Sequence, residues 1–262
     1  MKNVSPLRYP GGKTRACKVL ESLLNEHFDI NSFDTLVSPF FGGGSFEFFI
    51  QNAYGLRVSG NDKFTPLFTF WKSCKMEKEK LCDALTAHLG KVDKTTFGSM
   101  RQAIMRETDK LKQSIMYFVI NRCSFSGATL SGGFSAESSN KRFTGSSIER
   151  IRNLDLSKVT FHNLDFEPFL DRHTETDESK CLIFLDPPYY IESNLYGKNG
   201  DMHDSFDHKR LHECLSKRKN WIMTYNNCEY IKNLYSEFKI IETGWSYGMN
   251  KSKKSSEIVI IG

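Results

Sequence analysis

No long apolar run, no Cys-x-x-Cys pair and no zinc-type histidine signature occur in this chain, and each absence removes a class of protein. No apolar stretch approaches the ~20 residues that span a bilayer, so a membrane-embedded protein is not expected. The start, Met1-Lys2-Asn3-Val4-Ser5-Pro6, lacks the apolar segment of a secretory signal, which makes a soluble, intracellular protein the expectation. Seven cysteines, an odd number without close pairing, favour reduced thiols over a disulfide frame or zinc ribbon. His208 and His212 stand four apart on one helix face but lack the glutamate and third ligand of a zinc protease. They read as surface histidines, and no metal is expected. No glycine lies five residues before Gly12, so Gly11-Gly12-Lys13-Thr14 is not a triphosphate-binding P-loop.

What is present suits a large globular fold. The chain has 262 residues, 39% of them hydrophobic, with 21 Phe and 10 Tyr, enough for one large domain or a core carrying an inserted smaller one. The net charge of +5 is unevenly spread. Residues 63–158 hold 17 Lys/Arg and 9 Asp/Glu, a net of +8, which leaves −3 for the remainder. A basic middle between near-neutral flanks fits a nucleic-acid surface inserted into a catalytic core; a lysine-rich solvated helical segment has the same composition.

The most informative stretch is Cys181-Leu182-Ile183-Phe184-Leu185-Asp186-Pro187-Pro188-Tyr189. Five apolar residues bounded by a turn read as a strand covered on both faces, as in a parallel sheet. Two prolines lack the N–H donor that a central strand needs, so the chain leaves the sheet there. The exit carries a carboxylate, a free carbonyl and a flat ring at a strand's carboxyl end, where ligands bind in open α/β sheets. An amino group on a planar base fits that set, although a plain strand and Pro-Pro turn fits the same residues.

Other segments build the same α/β picture. Gly11-Gly12-Lys13 predicts a turn into a helix, with Lys13 free to meet a carboxylate. Asp34–Ser38 predicts a strand, followed by Pro39-Phe40-Phe41-Gly42-Gly43-Gly44 and a helix from about Ser45, a nucleotide-type turn. Arg57–Asp62 is a strand ending in an acid 20 residues past Gly42, suited to ribose hydroxyls. Helical periods fill 65–89 and 97–120. The Ser/Gly-rich stretch 121–147, with Asn121, Arg122, Ser124, Ser126, Lys141 and Arg142, has the components of a DNA-contacting loop or of a flexible linker. Val159–Phe166 reads as a strand closing on Asp165-Phe166, an acid and a ring suited to an adenine. Residues 171–180 read as a surface loop, 190–206 as a lid, 207–219 and 229–235 as helices, and 221–225 as a strand. Residues 238–242 and 257–261 form an expected antiparallel pair joined through a basic loop at 250–255.

Pro10-Gly11-Gly12-Lys13, Pro39 to Gly44, Asn61-Asp62, Asp165-Phe166 and Asp186-Pro187-Pro188-Tyr189, in this order, resemble the Dam-type DNA adenine-N6 methyltransferases from end to end. The resemblance implies a Rossmann-like, S-adenosyl-L-methionine-dependent core at 1–66 and 157–262, with an inserted, mainly helical target-recognition domain at 67–156. It puts Tyr9, Gly11, Gly12 and Lys13 on the methionine end of the cofactor, Pro39, Phe40, Gly42 and Gly44 under it, Asp62 on the ribose, and Asp165 with Phe166 at its adenine. Asp186, Pro187, Pro188 and Tyr189 form the catalytic corner, with Asp186 shared between cofactor and base. The implied substrate is an adenine flipped out of double-stranded DNA; a monomer, with a dimer possible, and a cytoplasmic or DNA-following location complete the expectation.

Two departures limit the resemblance. Tyr9 stands where the family often has Trp, and Cys123-Ser124-Phe125-Ser126-Gly127 departs from Dam's asparagine before the glycine, so a GATC specificity does not carry over. The rival readings are an N4-cytosine or protein-glutamine methyltransferase on the same core, disfavoured by Asp186 and the basic insertion, and a catalytically inactive DNA-binding module.

Overall fold

The computed structural model describes residues 2–9, 11–174, 178–190, 206–245 and 255–262. The chain runs α1 (Cys17–His27), β1 (Thr35–Ser38), α2 (Ser45–Tyr54), β2 (Arg57–Asn61), α3 (Thr65–Met76), α4 (Lys78–Ala87), α5 (Lys94–Ala103) and α6 (Lys110–Cys123). It continues with α7 (Ala136–Arg142), α8 (Gly145–Arg152), β3 (Val159–His162), α9 (Phe166–Thr174), β4 (Cys181–Leu185), α10 (His208–Leu215), β5 (Trp221–Asn226), α11 (Glu229–Leu234), β6 (Lys239–Trp245) and β7 (Ser255–Ile261). Helices alternate with mainly parallel strands, as in a Rossmann-like methyltransferase fold. No helix among the described residues is long and apolar enough to cross a membrane.

The residues fall into two compact units. One comprises 1–14 and 41–164, the other 15–40 and 165–262. The helical segment 67–156 lies wholly within the first, together with β2, β3 and the Gly42 turn.

In the first unit β2 and β3 pair in parallel, Val58 opposite Val159 through Asn61 opposite His162. Their core is aromatic. Phe41 packs edge-on against Phe48, Trp71 and Phe161 at 5.3–5.7 Å between ring centres, the geometry that ring quadrupoles favour. Gly60 is required there, because a Cβ on it would come within 2.5 Å of the Phe41 ring. α3 and α6 meet through Phe70 stacked on Phe118, both fully buried.

The stretch 121–147, read as loop or linker, is instead structured. α6 runs through Cys123, Ser124 bridges Phe134, and Ser135 N donates to Cys123 O at 2.9 Å, so the intervening residues form a pinned loop. Two short helices follow, each started by a hydroxyl cap: Ser135 accepts from Ser138 N, and Thr144 forms a capping box with Ser147. Side-chain caps outweighed the low helix propensity of Ser and Gly.

In the second unit the strand order is β1-β4-β5-β7-β6. β1, β4 and β5 are parallel, and all five β4 residues are buried, as a strand covered on both faces requires. β7 lies between β5 and β6, antiparallel to both. The expected β6/β7 pair therefore joins the sheet through its later strand.

Candidate active site

The first unit gathers the glycine-turn residues. Tyr9 O accepts from Gly12 N at 3.0 Å, closing a turn whose Gly11 has a φ of +75°. Gly42 has a φ of +50°, and a Cβ there would come within 2.9 Å of the Tyr9 ring, while one on Gly43 would come within 2.9 Å of the Tyr9 Cβ; Gly44, at φ +66°, is likewise crowded by Phe41. These glycines make room for the protein's own side chains. Lys13 begins a 3-10 turn rather than an α-helix, is 3% exposed, and donates to Gly11 O at 3.0 Å. The ammonium expected to meet a carboxylate is therefore buried and bonded to its own turn.

Asp62 leaves β2 with both oxygens engaged: Oδ2 accepts from Gly42 N at 3.0 Å and Oδ1 from Phe64 N at 2.9 Å. Burial pushes its carboxyl up to about 6, against the two amides, which pull it down. Each oxygen keeps a second lone pair, so a diol remains an acceptable ligand. The Gly42 carbonyl is held from the helical segment, where the buried Trp71 Nε1 donates to it at 3.0 Å.

The second unit holds the residues expected at an adenine and those of the expected catalytic corner. Pro39 is buried, and Phe40, Phe166 and Phe206 form a triangle of rings 5.6–5.8 Å apart. Asp165 does not end a strand. β3 stops at His162, and Asp165 immediately precedes α9, its carbonyl accepting from Phe169 N. Arg210 of α10 donates to Asp165 Oδ1 at 2.7 Å, with its guanidinium 4.5 Å above the Phe166 ring. An acid beside an aromatic triangle suits an adenine, so these residues would fit the base of S-adenosylmethionine.

Asp186 follows β4 directly. Thr224 Oγ1 on β5 donates to Asp186 Oδ1 at 2.7 Å, fixing the carboxyl rotamer. Pro187 is buried, Pro188 and Tyr189 partly so. Glu257 on β7 accepts from the Tyr189 hydroxyl at 2.7 Å, and Asn226 bonds both the N–H and the carbonyl of Tyr190. Behind them His208 is buried, contrary to its reading as a surface residue. Its Nδ1 meets the Tyr225 hydroxyl, and burial lowers its pKa. His212 instead meets Glu237 at 2.9 Å, so the two histidines have separate partners.

The residues expected at DNA differ in exposure: Asn121, Arg122 and Ser124 are buried, whereas Lys141 and Arg142 are exposed. Asn121 is fully buried: its Oδ1 accepts from Arg8 N at 2.9 Å and its Nδ2 donates to Arg8 O at 2.7 Å, a side chain standing in for a strand. Arg122, 7% exposed, donates from Nε to Arg142 O at 2.7 Å and from Nη1 to Pro6 O at 3.1 Å. Burial, then the charges of Arg8, Arg150 and Arg142, lowers it to about 10. Its fork ties α6 to the N-terminal segment instead of reaching a guanine edge. Ser124 is buried with its hydroxyl on Asn121 O, and the Ser126 side chain lies outside the described residues. Lys141 and Arg142 are exposed, Lys141 pairing with Glu137 at 3.1 Å. The expected lid at 190–206 and basic loop at 250–255 fall almost wholly outside the described residues.

Sequence reasoning missed Trp71, Arg210, Thr224, Asn226 and Glu257. Thr224 and Glu257 carried a faint signal as polar residues within apolar strand runs; the others carried none. An open recess of about 440 Å³ on α5, lined by Ser99, Gln102, Ala103, Arg106 and Glu107, contains none of the expected site residues.

No individual curated protein matches the chain. The profile of the family described as D12 class N6 adenine-specific DNA methyltransferase matches residues 9–249. That match begins at Tyr9, ends beyond β6 and takes in residues of both compact units, and the chain therefore belongs to the D12 class N6 adenine-specific DNA methyltransferases.

Proposed function

We propose that this adenine-N6 DNA methyltransferase draws its methyl group from S-adenosylmethionine and acts on an adenine flipped out of double-stranded DNA, as a monomer in the cytoplasm or wherever its DNA lies. S-adenosylmethionine supplies, when bound, an electrophilic methyl on a sulfonium. Supporting the assignment, Tyr9 and Lys13 serve the methionine end, Asp62 the ribose, and Asp165 with Phe166 the adenine. The basic segment 67–156 serves as the DNA-recognition part, with Lys141 and Arg142 as phosphate contacts.

The observation that carries the reading is the Asp186 carboxyl, held by Thr224 at the exit of β4. An adenine amino nitrogen is a poor nucleophile because its lone pair is delocalised into the ring. Asp186 and the Pro187 carbonyl are acceptors only, and by drawing the two amino hydrogens they localise that lone pair on nitrogen. With a methyl donor bound, methylation of that nitrogen would leave one amino proton to depart through the acceptor side that Asp186 and the Pro187 carbonyl provide. A base within a duplex cannot reach such a corner. Flipping it costs a few kcal/mol, and stacking on Tyr189 returns about 1 to 3 kcal/mol per base.

Asp186→Ala tests the reading. The residue ends a strand and does not fill the core, so melting is expected to stay near wild type while methyl incorporation into DNA is lost. Retention of activity within about tenfold, roughly 1.4 kcal/mol of barrier, overturns the assignment. Methylation-aware sequencing of DNA from cells expressing the protein identifies both the modified atom and the site.

A further inference from the structure

We propose that Glu257 is a positioning residue for base capture: its carboxyl holds the Tyr189 ring in the orientation in which the target adenine stacks. This rests on the reading of Asp186 to Tyr189 as the base-binding corner. Polar side chains on two neighbouring strands fasten that corner residue by residue. From β5, Thr224 holds Asp186, and Asn226 brackets Tyr190 by accepting from its N–H at 3.1 Å and donating to its carbonyl at 2.9 Å. From β7, Glu257 Oε1 accepts from the Tyr189 hydroxyl at 2.7 Å. Asn226 and Glu257 face each other across the β5/β7 ladder, so consecutive tyrosines are fastened from one rung.

The burial of Glu257 argues for a specific task. Its side chain is 2% exposed, and Oε2 has no hydrogen-bond partner among the described residues. An underused carboxyl in a sheet interior is costly, and an apolar residue would fill the position without that cost. The sheet does not need the carboxyl, because pairing with Asn226 on one side and Thr243 on the other is a backbone matter. A tyrosine ring fixed only at Cβ turns about χ1 and χ2; a bond at the phenol tip fixes its far end as well. The Tyr225 ring lies along Tyr189 at 6.0 Å and 28°, and its own hydroxyl is held by His208. The stacking plane is therefore set before any base arrives, which reduces the ordering that capture requires.

The test compares Tyr189→Ala, Tyr189→Phe, Glu257→Leu, Glu257→Gln and the Tyr189→Phe/Glu257→Leu double variant. Readouts are thermal melting, S-adenosylmethionine affinity by calorimetry, kcat and KM for DNA carrying the sequenced methylation site, and 2-aminopurine emission at the target position. Tyr189→Phe and Glu257→Leu are each expected to lower 2-aminopurine emission and to reduce kcat/KM for DNA about tenfold, the size of one lost hydrogen bond. Cofactor affinity stays within about twofold, the scale of a bond not made to the cofactor. The double variant is expected to be no worse than either single, and Glu257→Gln, whose amide oxygen still accepts, to retain near-native capture. Losses that multiply in the double variant, or a Glu257→Leu effect confined to melting, overturn the proposal. If Glu257→Leu does not fold, the contrast between Tyr189→Phe and Glu257→Gln decides: a loss in the former with retention in the latter supports it, and wild-type behaviour of Tyr189→Phe overturns it. Unimpaired capture by Tyr189→Ala would instead remove the base-binding reading itself.

Discussion

Arg210 and Asp165 are joined by a 2.7 Å hydrogen bond that lays the guanidinium over the Phe166 ring. Asp165 and Phe166 are the two residues assigned to the cofactor's adenine, so the arginine uses the acceptor and the ring face that the base needs. Arg210→Ala is expected to tighten S-adenosylmethionine binding. The pair is partly exposed, 38% and 24%, which limits it to about 1 kcal/mol and the gain to about fivefold. Calorimetric titration of the variant checks this; binding weakened beyond twofold would make Arg210 part of the site.

Asp62 is expected to link pH to stability and, through its proposed ribose contact, to binding, with opposite signs. Its folded pKa of about 6 lies above the ordinary 3.8, because burial disfavours the charged form. Its stabilising contribution is thus fully present below pH ~4 and is lost as pH rises through 6, a difference of about 3 kcal/mol. Binding runs the other way, because only the ionised carboxylate accepts from both ribose hydroxyls. The ratio of wild-type to Asp62→Asn affinity for S-adenosylmethionine is expected to be constant above pH 7 and to fall toward tenfold per pH unit well below 6. A ratio independent of pH between 5 and 8 would remove Asp62 from the ribose.

Arg122 and the Lys141/Arg142 pair are expected to separate cleanly. Arg122→Leu leaves the carbonyls of Arg142 and Pro6 without their donor, and a loss of about 2 to 4 kcal/mol in unfolding free energy follows. Where it still folds, its DNA affinity should change equally for all sequences. Neutralising Lys141 and Arg142 should leave melting intact and flatten the salt dependence of DNA binding by up to about 0.9 log unit per lost phosphate contact. Filter binding at two salt concentrations, alongside melting curves, checks both. A stable Arg122→Leu protein that loses only its cognate site would restore a base-reading role.

The strands were legible because burial on both faces leaves a mark that needs no partner: Cys181–Leu185 and Trp221–Tyr225 are apolar runs wherever they fold. The helices at 136–142 and 145–152 were not, because their start signals are hydroxyl caps set in a Ser/Gly background that reads as loop. Arg122 was legible as a donor fork but not as a buried one, since its fate depends on Pro6, 116 residues away in the chain. The corner proposed as catalytic was visible as Asp-Pro-Pro-Tyr. Its fasteners Thr224, Asn226 and Glu257 were invisible because only the register of β5 against β7 brings them to it.

That register also orders events during synthesis. β6 is made before β7, yet its sheet partner is β7, and among the described residues β7 is the strand that pairs with the far edge of β5. A growing chain halted short of Ser255 would carry β6 with no seat and β5 with a bare apolar edge, an invitation to pair with another chain. It would also hold a Tyr189 without its tether. Seating of β7 is thus expected to come before base capture, and a chain interrupted between β6 and β7 is expected to be prone to aggregation.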